Sequence, residues 1–152
     1  MEYFKMILTA LLGTVGFAII FRLRGSHIAA ASLGGALTFI VYAIFDSLGA
    51  NLFVSNFIAS LFAVLFAGVM ARVLKTPSTI LVSLCIIPLV PGSSLFYTMS
   101  NLIVWNQANF SVSAQNTLQV ALGIAGGIVL ESAVVHLLSH IRKKPTAPIA
   151  KQ

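Results

Sequence analysis

Five apolar segments, each about long enough to cross a lipid bilayer, dominate this chain of 152 residues. They cover residues 4–21, 28–45, 53–71, 79–102 and 118–138. A helix needs about 20 apolar residues, at 1.5 Å each, to cross the hydrocarbon core. None of the segments alternates apolar and polar residues as a half-buried strand does, and a helix satisfies its own backbone polar groups in lipid. The segments therefore predict an all-α, polytopic membrane protein with about five transmembrane helices.

The composition agrees with a membrane protein. Hydrophobic residues make up 59% of the chain and charged residues 8%, whereas a soluble domain carries about a quarter charged residues. The nine Lys and Arg residues lie mostly between the apolar segments, so no solvated basic face is predicted and nucleic acid is not an expected partner. The single cysteine, Cys85, excludes an intrachain disulfide and is interpreted as a small buried apolar residue.

Basic residues follow the first, third and fifth apolar segments. They are Arg22, Arg24, Arg72, Lys75, Arg142, Lys143 and Lys144. Because cytoplasmic loops are enriched in Lys and Arg, the pattern predicts a plasma (inner) membrane protein with its N-terminus outside and its C-terminus in the cytoplasm. We expect a transmembrane domain over residues 1–142 and a disordered cytoplasmic tail over residues 143–152. Glu2 and Arg22 flank the first segment, which favours a mature helix over a cleaved signal peptide.

The fourth segment is interrupted at its centre by the sequence IPLVPGSS. Pro88 and Pro91 lack the amide hydrogen that a helix interior needs, and each clashes with the carbonyl four residues earlier. Gly92 tolerates backbone angles that other residues resist. A helix that begins near Thr79 reaches this point after about 15 Å, close to the middle of the bilayer. We therefore predict a helix interrupted between Pro88 and Gly92, which leaves carbonyls such as that of Ile87 without helical partners.

Ser93 and Ser94 follow the interruption, at a place where hydroxyls commonly cap a new helix. The free amides and positive dipole end of such a half-helix favour an anion, for example a carboxylate. Irregular backbone in a membrane is tolerated where protein buries it or where it lines a wet cavity. The sequence thus predicts a solute-binding site formed by Pro88, Pro91, Gly92, Ser93 and Ser94. A proline kink used only for packing is the alternative.

The stretch KTPSTILVSLCIIPLVPGSSLFYTM, residues 75–99, resembles the signature of the threonine/serine exporter (ThrE) family, which has a Pro-Leu-x-Pro-Gly core. In length, the chain resembles the small subunit of split family members, which corresponds to the C-terminal membrane half of the single-chain exporters. The resemblance implies export of threonine and serine, or of a dicarboxylate such as succinate in related split systems, by a proton-driven antiporter. It also implies a larger membrane subunit as partner.

Glu131 lies inside the fifth apolar segment, where an acid near the helix centre costs about 2.5 to 3.5 kcal/mol on insertion scales. It is therefore expected to face protein or water. One interpretation makes Glu131 a proton-coupling carboxylate or the partner of a solute ammonium. The other makes it a structural partner of Arg72 or of a hydroxyl on a neighbouring helix. His136 and His140 follow one turn apart without a third ligand, so neither a metal nor another cofactor is predicted.

Gly123 and Gly127 precede Glu131 with the spacing that allows two membrane helices to approach closely. They predict a packing face. The facing helix could belong to this chain, to an identical copy in a homo-oligomer or to the larger subunit. The glycines at positions 13, 16, 34 and 35 raise the same question.

Three classes of function compete: a transporter subunit, an intramembrane hydrolase and a purely structural subunit. A hydrolase needs an arranged nucleophile and base or a metal set, and the sequence has no Gly-x-Ser-x-Gly, His-Glu-x-x-His or paired aspartate motif. A structural subunit leaves the interrupted helix and Glu131 unexplained. We therefore predict a non-enzymatic membrane subunit of a secondary exporter of small carboxylate-bearing metabolites.

Overall fold

The computed structural model describes the backbone of residues 2–23 and 25–142, and the side chains of residues 5–23, 25–135 and 137. Its helices are α1 (Glu2–Ile20), α2 (Ser26–Ser47), α3 (Leu52–Leu74), α4 (Ser78–Ile86), α5 (Gly92–Ile103) and α6 (Gln107–Arg142). A single 3₁₀ turn, Ile87–Leu89, follows α4. The described residues contain no strand, so the all-α fold class is confirmed. The predicted tail, residues 143–152, lies outside the described residues.

Among the described residues, three helices are long and apolar enough to cross a membrane: α2, α3 and α6, the last over Gln107–Val135. A fourth span results if Ser78–Leu89 joins α5 as one bent helix. In α1, the stretch Lys5–Ile20 is apolar but shorter. The polytopic membrane architecture is confirmed. The fifth predicted segment begins earlier than expected, at Gln107 instead of residue 118, because polar residues there continue the same helix.

Small side chains fill the centre of the bundle. Helix α3 lies in the middle and packs against α2, α4 and α6. The buried cluster contains Ala18, Ala31, Ala63, Ala67, Ala71, Leu81, Leu84 and Cys85. Larger side chains such as Phe17, Leu65 and Val69 are exposed. Small residues let helix backbones approach closely where lipid supplies no hydrophobic force between helices, so this interior suits a bilayer.

Gly34 and Gly35 bring α2 against three other helices. A Cβ added at Gly35 would lie 3.0 Å from a side-chain carbon of Thr14 in α1. A Cβ added at Gly34 would lie 2.8 Å from the ring of Phe66 in α3 and would also meet the sulfur of Cys85 in α4. Cys85 is 1% exposed, which confirms that it is a small buried residue.

Gly123 and Gly127 lie directly against α3 of the same chain. Added Cβ atoms would lie 2.7 Å from the carbonyl oxygen of Phe53 and 2.8 Å from that of Phe57. The Ser60 hydroxyl donates a hydrogen bond to the Gly123 carbonyl at 3.4 Å. The helix that faces these glycines therefore belongs to this chain, and the spacing does not by itself require a second copy or another subunit.

Gly127→Ala should lower the thermal stability of the protein, although alanine favours helices. The new Cβ has no room beside Phe57 and Ser60, and overpacking of this kind costs about 1–3 kcal/mol. Gly13→Ala is the matched control, because nothing lies within 4 Å of its added Cβ. In Gly13→Ala, the higher helix propensity of alanine should raise the free energy of unfolding by about 0.5–1 kcal/mol. Thermal unfolding in detergent micelles measures both; equal midpoints would contradict the close α3–α6 contact.

The predicted interruption of the fourth segment is confirmed. Helix α4 ends at Ile86, and α5 starts at Gly92 after a bend of 56°. The Ile87 carbonyl does lose its α-helical partner, because Pro91 has no amide hydrogen, but it accepts the Val90 amide at 3.1 Å instead. The chain tightens into a 3₁₀ turn, which satisfies a carbonyl that an α-helix would leave free beside a proline.

The start of α5 differs from the expected capped half-helix. Pro91 occupies the N-cap position, and no side chain caps the helix. Because α5 begins at Gly92, Ser93 and Ser94 are its second and third residues and come too late to cap it. The Gly92 amide instead donates to the Val90 carbonyl at 2.7 Å. The prediction that these serines cap the helix is therefore wrong.

Helices α5 and α6 form a hairpin that polar side chains hold together. The hydroxyl oxygens of Thr98 and Thr117 lie 3.2 Å apart, and the Asn101 amide donates to the Ser113 hydroxyl at 3.3 Å. Helix α5 has no buried residue. Its exposed apolar side chains are Leu95, Phe96, Met99, Leu102 and Ile103. Polar groups thus face into the hairpin and apolar groups face outwards.

The hairpin extends beyond the end of α3. Gly123 lies level with Phe53, the second residue of α3, yet α6 begins at Gln107. Residues 107–122 therefore reach about 24 Å past that level, at 1.5 Å per residue. With 36 residues, α6 is longer than the hydrocarbon core of about 30 Å is thick.

Candidate functional site

A cavity of about 730 Å³ lies between α3, α4 and α6, where α3 ends and α4 begins. Its polar lining consists of Arg72, Thr76, Ser78, Thr79, Ser83, Glu131 and Ser132. Its remaining walls are Val64, Gly68, Ala71, Val82, Ile128 and Val135. Ligand sites are commonly cavities of this size, with apolar walls and a few polar groups that fix the orientation of the ligand.

Two local features make room for the cavity. Gly68 has no side chain, and nothing lies within 4 Å of the position that its Cβ would take. At the end of α3, Lys75 adopts a left-handed conformation with φ 52°, and the Thr76 amide donates to the Ala71 carbonyl at 3.0 Å. Pro77 then starts α4. This short connection reverses the direction of the chain between α3 and α4, and it places the first turn of α4 beside the cavity.

Glu131 is the buried charged residue of the cavity. Only 9% of its surface is exposed, and no hydrogen bond or ion pair joins its carboxylate to another residue that the structure describes. An unpaired carboxylate at this depth is costly. A proton, water or a positively charged ligand group in the cavity would satisfy it.

Arg72 lines the same cavity from the last turn of α3. Arg72 is exposed, whereas Glu131 is buried. No guanidinium nitrogen of Arg72 lies within 4.0 Å of the Glu131 carboxylate, so these two residues form no ion pair. Two opposite charges therefore share one cavity without contact, and the structural pairing that the sequence allowed is not formed.

Hydroxyl groups complete the polar lining. Ser83 and Ser132 donate to carbonyls four residues earlier in their own helices, at 2.9 and 2.8 Å, so their oxygens can still accept hydrogen bonds. Thr76 Oγ1 is buried without a hydrogen-bond partner. Beside it, α4 begins without a side-chain cap. Its first amides, at Ser78 and Thr79, and its positive dipole end border the cavity.

A second, smaller cavity of about 300 Å³ lies at the tip of the α5–α6 hairpin. Its lining residues are Asn101, Leu102, Trp105, Gln107 and Phe110. Trp105 is 85% exposed. Exposed aromatic side chains at a helix end are typical of the membrane–water interface.

A family model described as Threonine/Serine exporter, ThrE, matches residues 6–134. The match covers most of the chain and includes both charged residues of the large cavity. The chain belongs to the threonine/serine exporter family. No curated protein and no solved structure matches the chain. Membership of this family makes the protein a membrane transporter of the threonine/serine exporter type.

The side chains that the structure describes in this exporter include no group of three His, Cys, Asp or Glu residues that could hold a metal ion. The side chains of His136 and His140 lie outside the described part of the chain. In the described lining, the large cavity offers a solute Arg72, Glu131, the hydroxyl groups and the first amides of α4.

Of the functional residues predicted from the sequence, Glu131 lines the large cavity. The predicted solute-binding residues of the interrupted helix do not line it: Pro88, Pro91, Gly92, Ser93 and Ser94. Helix α4 connects the two places, because Ser83 lines the cavity and the helix ends at the interruption. Sequence reasoning missed Thr76, Ser83 and Ser132. The spacing of Thr79 and Ser83 on one face of α4 was a signal that could have indicated a polar wall.

Proposed function

We propose that this chain is one membrane subunit of a secondary exporter of small carboxylate-bearing metabolites, of the threonine/serine type. The observation that carries the proposal is the Glu131 carboxylate, which is buried, has no hydrogen-bond or ion-pair partner among the described residues, and shares a cavity with Arg72. A purely structural subunit gains nothing from this arrangement, because an unpaired charge at membrane depth destabilises the fold. A cavity that receives a charged solute explains both residues.

The cavity opens to the cytoplasm. Arg72 and Lys75 lie at the end of α3 that borders it, and Arg22 lies in the α1–α2 turn at the same end of the bundle. The enrichment of basic residues in cytoplasmic loops supports this orientation, with the N-terminus outside and the C-terminus inside the plasma (inner) membrane. A solute then enters from the cytoplasm, as export requires.

The path continues from the cavity to the interrupted helix, where Pro88, Pro91, Gly92, Ser93 and Ser94 bind the passing solute. Two observations support this step. Helix α4 borders the cavity and ends at the interruption. The first turn of α5 has no side-chain cap, and Ser93 is exposed, so the amides and hydroxyls of Ser93 and Ser94 are available to a carboxylate, whereas the Gly92 amide already donates to Val90.

A larger membrane subunit supplies the other half of the path. The α5–α6 hairpin supports this partner, because its apolar face continues about 24 Å beyond the end of α3 and leaves Trp105 exposed at its tip. Solute sites of transporters commonly lie between two such halves. A homo-oligomer is the competing arrangement, for which Gly13 and Gly16 in α1 face open space.

Glu131 is the proton-coupling residue of the exporter. Arg72 is the other charged side chain in the described lining, and it stays protonated in proteins. The remaining polar groups there are hydroxyls, which do not ionise near neutral pH. Glu131 is thus the lining residue that can bind and release a proton as the solute passes.

Glu131→Gln tests this role, because glutamine keeps the size of the side chain but cannot titrate. Efflux of threonine from cells that contain both subunits should fall roughly tenfold, which corresponds to about 1.4 kcal/mol, and should lose its dependence on external pH. Asp46→Asn is the matched control, since it removes the same charge from an exposed residue outside the cavity. A Glu131→Gln protein with an unchanged pH profile would show that the carboxylate is structural.

A further inference from the structure

We propose that the 3₁₀ turn Ile87–Leu89 is a gate in the transport path, and that the Thr38 hydroxyl of α2 is the polar group behind this gate. The inference rests on the proposed function, because it concerns how the solute passes the interruption between α4 and α5. In the structure the turn packs against α2, and Thr38 is buried. When the turn moves away from α2, the Thr38 hydroxyl binds the passing solute.

Thr38 is a buried residue whose hydroxyl has no partner. Its exposed fraction is 0%, and no hydrogen bond joins its Oγ1 atom to any residue that the structure describes. By contrast, the hydroxyls of Thr14 and Ser32 donate to carbonyls four residues earlier in their own helices, both at 2.8 Å. Thr38 lies in the middle of α2, where this helix packs against described parts of α1, α3 and α4.

The unpaired Thr38 hydroxyl is unfavourable in this conformation. A buried hydroxyl without a hydrogen bond destabilises a fold, because it gives up its hydrogen bonds to water and gains none in return. Valine has nearly the same shape and would avoid this loss. A buried polar group that stays unpaired therefore needs an explanation beyond packing. A solute that reaches Thr38 in a second conformation provides one.

Contacts of α2 place Thr38 beside the 3₁₀ turn. One helical turn before Thr38, a Cβ added at Gly34 would lie 2.8 Å from the Phe66 ring and would also meet the sulfur of Cys85 in α4. Helices α2 and α4 run in the same direction, because the chain reverses at both ends of α3. The segment level with Thr38 is therefore the one that follows Cys85. This segment is the 3₁₀ turn, which contacts α2.

The Thr38 side chain also points towards the turn. Gly35 faces α1, since its added Cβ would lie 3.0 Å from a side-chain carbon of Thr14, whereas Gly34 faces α3 and α4. At about 100° per residue, Thr38 points about 40° from Gly34 in the direction of Gly35. It therefore points between α1 on one side and α3 with α4 on the other, and the 3₁₀ turn contacts α1, α2 and α3 there.

The hydrogen bonds of the turn allow it to move as a unit. The Val90 amide donates to the Ile87 carbonyl at 3.1 Å, and the Gly92 amide donates to the Val90 carbonyl at 2.7 Å. Both bonds lie within the interrupted segment, and no described backbone hydrogen bond joins the turn to α2. The Leu89 side chain, 5% exposed, holds the turn in the bundle by packing. A 3₁₀ stretch inside a longer helix often marks a functional hinge.

Thr38→Val tests the hydroxyl, because valine removes the oxygen and keeps the shape. The thermal midpoint of the purified chain in detergent micelles should rise by about 2–4 °C, whereas threonine efflux by the assembled exporter should fall about fivefold, the effect of one hydrogen bond. Ser55→Ala is the matched control. Ser55 Oγ is also buried without a partner among the described residues, but it lies about 16 Å from Phe66 along α3, so efflux should stay at the wild-type rate.

Labelling of Thr38→Cys with N-ethylmaleimide tests the movement of the turn. Cys85→Ala removes the native thiol from the same protein. The assembled exporter should react at position 38 at least about tenfold faster with threonine than without it, because transport populates a conformation that is otherwise minor. Ser55→Cys should react slowly under both conditions.

Three results would each overturn the inference: wild-type efflux in Thr38→Val, a lower thermal midpoint in Thr38→Val, or equal labelling of Thr38→Cys with and without threonine. A lower midpoint would show that the hydroxyl stabilises the fold. Failure of the wild-type exporter to move threonine would instead contradict the proposed function, so the two failures are distinguishable.

Discussion

Replacement of Gly68 by leucine should stop export by filling the large cavity. Gly68 lines that cavity, and nothing lies within 4 Å of its added Cβ, so we expect a leucine side chain to extend into the cavity. The leucine side chain would then block the passage of a solute through the cavity. We expect efflux to fall by at least about tenfold, the effect of 1.4 kcal/mol on binding or on a barrier, while the protein keeps its thermal stability.

Gly13→Leu is the matched control for this experiment. Gly13 also has open space around its added Cβ, but it lies on the exposed face of α1, away from the cavity. Both substitutions add the same side chain to a helical glycine. Export at the wild-type rate by a folded Gly68→Leu protein would show that the solute takes another route. Equal loss of export in both variants would point to a general effect on the fold.

Much of the fold could be predicted from the sequence, because its determinants are local. An apolar segment of about 20 residues specifies a span whatever its neighbours are. Pro88, Pro91 and Gly92 interrupt a helix by the chemistry of their own backbone. The exact geometry of the interruption was harder to predict. The structure has a 3₁₀ turn that begins at Ile87 and an N-cap at Pro91. A shift of one or two residues in where one helix ends and the next begins would change both features.

The candidate site was only partly predictable, because it forms where three helices meet. Glu131 could be predicted as a candidate, because an acidic residue within an apolar segment has a high free-energy cost of membrane insertion. Arg72 was interpreted as a marker of membrane orientation and as one possible structural partner of Glu131, so the sequence anticipated that the two residues are neighbours but not that they line one cavity without an ion pair. Thr76 and Ser132 carry no signal in the sequence until the packing of α6 on α3, through Gly127 and Ser60, sets which residues face the same space.

The largest effect that we expect is the dependence of transport on a second subunit. This chain contains a cavity with a buried carboxylate, but α5 has no buried residue, and the outward apolar side chains of the α5–α6 hairpin are not covered by the described chain. Transporter paths commonly run between two halves, so one half alone should bind solute without moving it across the membrane. The exposed apolar side chains of α5, such as Phe96, form the surface that we expect the proposed second subunit to cover.

Reconstitution into liposomes tests this account most directly. The purified chain alone should give no flux of threonine, serine or succinate above that of empty vesicles. Addition of a larger membrane subunit of the exporter family from the same organism should give saturable flux of threonine and serine, and Gly68→Leu should remove that flux. Saturable flux from this chain alone would contradict the account and would indicate a homomeric transporter instead.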